Sequence, residues 1–221
     1  MLLYKLPLNR LPEADAKQLI EKLYHPDERF AQGYLKYRMD VLGLPKEEAW
    51  ESTQKELREN IDHWLSNLTD PQMHTVGMLD GDVYTPVGLY GFRELKEHKK
   101  GVTLLGVIRE QNLASELQGK LGICHSLSIL DAYRSLTSLR CMFLFVATEA
   151  IEKNYDHIFF YMSDHRLKGI YERFGLVFPE NLRFPDTKHL VGYYSLTPEN
   201  LETIRQEMDA QNFQELIKLV S

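Results

Sequence analysis

Hydrophobic positions along the chain switch between a two-residue repeat and a three-to-four-residue repeat, most clearly from His125 to Phe178. Residues 125–130 alternate as a half-buried strand does. Leu136, Leu139, Phe143, Val146, Ala147, Ala150 and Ile151 then recur at helical steps, which predicts a helix over 136–151 with one apolar face. Residues 157–162 are a short apolar run, and 163–174 read as a second helix stopped by Gly175. Strand, helix, strand, helix in succession is a βαβα unit.

Upstream, residues 2–8 read as a first strand, and 12–24 and 28–42 as two helices. Pro45 opens a third helix, for which it suits the first helical position, with Leu57, Ile61, Trp64, Leu65 and Leu68 as the stripe. Residues 73–79 and 87–95 read as strands flanking the turn Asp80-Gly81-Asp82. Residues 102–109 read as another strand, and the polar stretch 111–120 receives no assignment. Downstream, 176–184 and 189–196 read as strands interrupted by Pro179, Pro185 and Asp186. A helix follows from Thr197-Pro198-Glu199 with Leu201, Ile204 and Met208 inward, and Phe213, Leu216, Ile217 and Val220 continue its pattern. The expected organisation is one mixed α/β domain over 1–196, a central mixed sheet flanked by helices, with a helical extension over 197–221 packed on it.

Composition narrows the classes of function. Hydrophobic residues make up 43% of the chain, enough for a sizeable core. The net charge of −6 argues against nucleic acid as a partner. Two cysteines, Cys124 and Cys141, suggest no disulfide framework and fit a reducing, cytoplasmic setting. No apolar run approaches the ~20 residues of a membrane span, and residues 1–6 lack a secretory pattern. The acidic excess spares residues 131–175, which hold six acidic and six basic side chains.

That matters for the start of the 136–151 helix. The first turn of a helix leaves backbone N–H groups unpaired and carries partial positive charge, so phosphate groups bind there readily. Tyr133-Arg134-Ser135-Leu136-Thr137-Ser138-Leu139 lies where strand gives way to helix, with Arg140 following. The turn therefore reads as an anion site, a pyrophosphate first among candidates. The plainer alternative is an ordinary cap, since serine and threonine are common there.

Ile170-Tyr171-Glu172-Arg173-Phe174-Gly175-Leu176 resembles the "LYxxxGF" signature that closes the acyl-CoA-binding core of the GCN5-related N-acetyltransferases. Ile129-Leu130-Asp131-Ala132-Tyr133-Arg134 resembles the strand end that precedes that family's phosphate loop. The loop itself departs from the family pattern, with Thr137 and Leu139 where two small residues are usual. The resemblance spans residues 123–196. It implies an N-acyltransferase that uses acetyl-CoA, or another acyl-CoA, as co-substrate and a primary amine of a small molecule or peptide as acceptor. It also implies an acceptor cleft formed partly by the N-terminal helices.

Further roles follow from the resemblance alone. Ser128, Ile129 and Leu130 would offer backbone groups to the pantetheine arm, and Tyr171 would be the general acid beside the thioester sulfur. Asp164, with Ser163, stands where many relatives place an asparagine that touches the pantetheine arm, although Asp is also among the best helix caps. The family's glutamate base falls at Ile123, and His125, two residues on, takes the same strand face; His189, Glu116 or a water chain are the other candidates. Cys124 and Cys141 read as small hydrophobes, and His157 with His165 lack the company a metal needs. The long insertion before residue 123 is similar to that of relatives using longer acyl groups, such as autoinducer and N-acyl amino acid synthases. The altered loop leaves a non-catalytic ligand- or partner-binding module as a further alternative, and a homodimer is left open.

Overall fold

The computed structural model describes residues 3–80, 83–162, 167–180, 182–184 and 189–210, with backbone alone for 207–210. Six strands form one sheet in the order β1 to β6: Tyr4–Pro7, Met73–Asp80, Val83–Glu94, Leu121–Ile129, His157–Met162 and Leu190–Ser195. Strand β1 runs antiparallel to β2, β4 parallel to β5, and β5 antiparallel to β6, so the sheet is mixed. Seven α-helices accompany it among the described residues: Glu13–Leu23, Arg29–Asp40, Lys46–Ser66, Lys99–Glu110, Leu136–Glu152, Lys168–Arg173 and Pro198–Ala210, α1 to α7. None of them is long and apolar enough to cross a membrane.

The described chain falls into two compact units, one of residues 3–90 and 126–139, the other of residues 91–125 and 140–210. In the first, the predicted stripe of α3 is the inward one: Leu57 and Trp64 are buried, with Ile61, Leu65 and Leu68 packed against the same core as Leu19, Ile20 and Leu23 of α1. The Trp64 indole N–H donates to the hydroxyl of Tyr24 at 2.7 Å, joining α3 to the end of α1 in the dry interior. Helices α2 and α3 are locked by Arg38, whose guanidinium bonds to Ser52 at 3.0 Å, to Thr53 at 3.2 Å and to the carboxylate of Glu56. Pro45 stands just outside α3 rather than at its first position, in extended conformation (ψ 149°).

In the second unit, two expectations fail. Residues 102–109 are not a strand but most of α4; Leu104, Val107 and Ile108 are buried at helical spacing, while Val102 is 58% exposed. The strand reading yields to a helical face that fits the core around Ile123, Phe159 and Val191, although Val102, Thr103, Val107 and Ile108 are β-branched. Residues 176–184 do not form a continuous strand either. Val177 and Arg183 make isolated bridges to Tyr193 and Leu190, and Pro179 between them has no N–H for a ladder. Residues 157–162 form β5 as expected. Helix α6 is shorter than expected on the described residues, and it ends before Gly175, which takes φ 88°. The expectation for 211–221 lies outside the described residues.

Helix α5 is more buried than a one-face pattern implies. Cys141 through Ala147 are all buried, whereas Leu136, counted on the inward face, is 57% exposed. A helix apolar on every side through its middle is a core helix, and the exposed positions of α5 are at its two ends, Leu136 and Thr137 at the start and Glu152 at the finish.

Burial lifts the Tyr24 phenol to about 12, against the opposing pull of the Trp64 indole and the Ser128 and Ser126 hydroxyls. The unfolded chain therefore loses this proton first as pH rises, and stability falls between about pH 10 and 12. Tyr24→Phe should cost about 1–3 kcal/mol at neutral pH, by stranding the indole N–H, and should flatten the alkaline fall. Urea titrations across that pH range read both effects.

Candidate active site

The donor-side residues lie in the first unit. Strand β4 ends at Ile129, a 3-10 turn covers Asp131–Tyr133, and α5 begins at Leu136. Ser135 is the cap: its hydroxyl accepts the N–H of Ser138 at 3.0 Å, and its carbonyl accepts that of Leu139 at 3.0 Å. The Ser138 hydroxyl, fully buried, donates to the Tyr133 carbonyl at 2.6 Å and lies 2.8 Å from that of Ser135. The plainer reading of this serine pair is thus correct for one amide. Among the described residues the amides of Leu136 and Thr137 take no hydrogen bond. Leu136 and Thr137 are exposed and Leu139 is half-buried.

Arg134 does not reach freely into solvent. Its guanidinium donates to the Ile129 carbonyl at 3.4 Å and lies 3.6 Å from the Asp131 carboxylate. The strand end is similarly committed. The Leu130 N–H donates to the Val87 carbonyl at 2.8 Å and the Leu130 carbonyl accepts from Tyr133 at 2.9 Å. Ser128 and Ile129 are buried.

One feature of β4 escaped the sequence reading. Ser126 has φ 55°, a left-handed conformation inside a strand. The register of β4 with β5 runs from Leu121 opposite His157 to Cys124 opposite Phe160, and Ser126 lies two residues beyond the last of those pairs. A serine among alternating residues gives no signal of this; a glycine would have.

Tyr171, His125 and His189 lie in the second unit. Tyr171 is buried, its ring 6.4 Å from that of Phe160 and 6.1 Å from that of Phe174. His125 is 2% exposed, with its ring 4.6 Å from that of His98. A methyl group at Gly91 would fall 2.2 Å from the His125 ring, so glycine there is what admits the imidazole. His189 is 3% exposed and stacks on Tyr161. Glu116 is exposed and Arg140 half-buried. Burial pushes the Cys124 thiol well up, with the Glu149 carboxylate adding to the effect, which keeps it a neutral core side chain. Both cysteines are buried thiols outside any disulfide. No cluster of three or more potential metal ligands occurs among the described residues. Asp164, Ser163 and His165 lie outside those residues.

Comparison with known proteins agrees on the fold. No family model matches the sequence, and no curated protein does. Solved structures do match. They include a mosquito arylalkylamine N-acetyltransferase-like protein 5b (TM-score 0.52, 12% identity, 88% of this chain and 99% of that one). A Drosophila melanogaster polyamine N-acetyltransferase that forms N-acetylagmatine matches at TM-score 0.53 and 11% identity, over 88% of this chain and all of that one (100%). The PaiA N-acetyltransferase of Thermoplasma acidophilum, solved with coenzyme A, matches at TM-score 0.51 and 12% identity, over 88% and 99%. The chain has the fold of the GCN5-related N-acetyltransferases.

If the Ser135 hydroxyl serves as a cap, Ser135→Ala should lower stability by roughly 0.5–2 kcal/mol. Chemical denaturation measures the loss, and Ser135→Asp, which caps equally well, should restore it.

Proposed function

We propose that the chain is an N-acyltransferase that uses an acyl-CoA, acetyl-CoA first, to acylate a primary amine. The observation that carries this reading is the opening of α5. Two consecutive helix-start amides, those of Leu136 and Thr137, have no partner among the described residues, on a fold shared with a coenzyme A complex. These amides and the Arg134 guanidinium would hold the diphosphate, as helix N-termini hold anions generally. Bound acyl-CoA supplies a thioester whose acyl group passes to the amine, the C–S bond giving way to an amide C–N bond. This chain's part is to hold the donor, to supply a proton at the Tyr171 hydroxyl for the departing sulfur, and to receive the amine proton at a base. A phenol with pKa near ~10 stays protonated at neutral pH and so can donate. His125 is the first base to test, with His189 after it. The agmatine chemistry of the Drosophila neighbour supports a small amine as acceptor. The C-terminal extension is proposed to stay with its own domain.

A second reading has one observation in its favour: Ser135 already fills the third amide, and Asp131 holds the Arg134 guanidinium at 3.6 Å. A scaffold without turnover would look the same at this turn.

Thermal shift separates the two. Coenzyme A and acetyl-CoA should raise the melting temperature progressively with concentration, and Arg134→Ala should weaken the effect. A melting temperature unmoved by either ligand, or by a long-chain acyl-CoA, would favour the non-catalytic module. A response to the long-chain donor alone would select a longer acyl group. Once an acceptor is in hand, Tyr171→Phe should lower kcat by about 10²–10⁴-fold, the usual worth of an acid catalyst, with donor affinity preserved. An unaltered kcat removes Tyr171 from the mechanism.

A further inference from the structure

Asp131, in the turn between β4 and α5, joins segments more than a hundred residues apart in the sequence. Its Oδ2 accepts the backbone N–H of Arg29, the first residue of α2, at 2.9 Å, and lies 3.8 Å from the Arg29 Nε. Its own N–H donates to Glu28 Oε2 at 3.1 Å. The two carboxylates thus cross-cap, each taking an amide from the other's segment. Helix α2 has no cap from its own preceding residue, so Asp131 supplies that function from across the fold. Its other oxygen, Oδ1, is shielded from solvent and has no hydrogen bond, and the Arg134 guanidinium stands 3.6 Å away. One carboxylate therefore serves two masters in the same unit: the helix that begins at Arg29 and the arginine of the anion-binding turn. In the segment it pins, His25, Asp27 and Glu28 line a cleft of about 490 Å³ together with Leu130 and Ala132.

We infer that Asp131 is a positioning residue that restrains Arg134 while holding the α1–α2 connection against the β4–α5 turn. For its donor arm this rests on the N-acyltransferase reading. An anion on the turn competes with Asp131 Oδ1 for Arg134, which Oδ1 holds by an ion pair at 3.6 Å and not by a hydrogen bond. The Oδ2 bond to the α2 amide does not depend on Arg134 and persists. Removing the charge therefore strengthens anion binding, and removing the oxygen as well loosens the start of α2. A residue of purely structural importance would weaken both.

The test uses the full chain, coenzyme A as probe, and two variants. Asp131→Asn keeps an oxygen for the Arg29 amide and loses the charge; Asp131→Ala loses both. Calorimetric titration should show coenzyme A binding about two- to five-fold tighter in both variants, the worth of a weak ion pair without a hydrogen bond, with a gain that shrinks at high salt. Hydrogen exchange of the ligand-free protein should show the Arg29 amide opening faster in Asp131→Ala and little changed in Asp131→Asn. Coenzyme A binding that is equal or weaker in Asp131→Asn, with clear binding to the wild type, overturns the inference and leaves the proposed function intact. Unchanged exchange at Arg29 in Asp131→Ala removes the link to α2. A wild type that binds no coenzyme A takes down the proposed function, and the donor arm of this inference with it. If Asp131→Ala does not fold, Asp131→Asn alone decides the donor arm, and exchange at Arg29 in Glu28→Ala, which breaks only the return bond, decides the link.

Discussion

A helix with a buried middle meets water at its ends, and the start of α5 is the end that carries unpaired backbone donors. Seven consecutive buried positions from Cys141 to Ala147 fix that helix in the interior. Its first turn must then come to the surface with the donors that every helix start carries. The chain satisfies one of these with the Ser135 hydroxyl and leaves those of Leu136 and Thr137 open among the described residues.

The surroundings of this turn are unusually committed for a surface loop. Ser138 is buried and bonded to the Tyr133 carbonyl, Arg134 is drawn back to Ile129 and Asp131, and Asp131 holds the start of α2. Each bond restricts a backbone segment that has no glycine to relax it. Where the resembling family uses small residues to bring its backbone close to a ligand, this chain has Thr137 and Leu139 and fixes the turn with side-chain hydrogen bonds instead. Side-chain hydrogen bonds and a tightly packed backbone of small residues are two different ways to fix a turn.

Much of the fold was legible in the sequence, because periodicity reports burial. The stripe of α3, the run that becomes β5, and the stop at Gly175 all follow from it. The failures have a common physical origin. Residues 102–109 carry strand-forming side chains, yet the face presented by Leu104, Val107 and Ile108 suits a helix against the core, and packing overrides propensity. Leu136 was counted inward because periodicity cannot see where a helix begins to emerge. Of the candidate site, the serine cap at the start of α5 was legible. The left-handed Ser126 was not, since a serine there leaves no local trace; nor were the Gly91 seat of His125 and the reciprocal bonds of Glu28 and Asp131, which exist only because distant segments meet.

The central claim is that two backbone amides at the start of α5 are open to a phosphate-bearing ligand. Backbone amide NMR during titration with coenzyme A addresses it residue by residue. The account predicts the largest shifts at Leu136 and Thr137, with smaller ones at Arg134 and the capped amide of Ser138. Saturable binding that leaves the amides of 134–139 unmoved, or no binding at all, would contradict it.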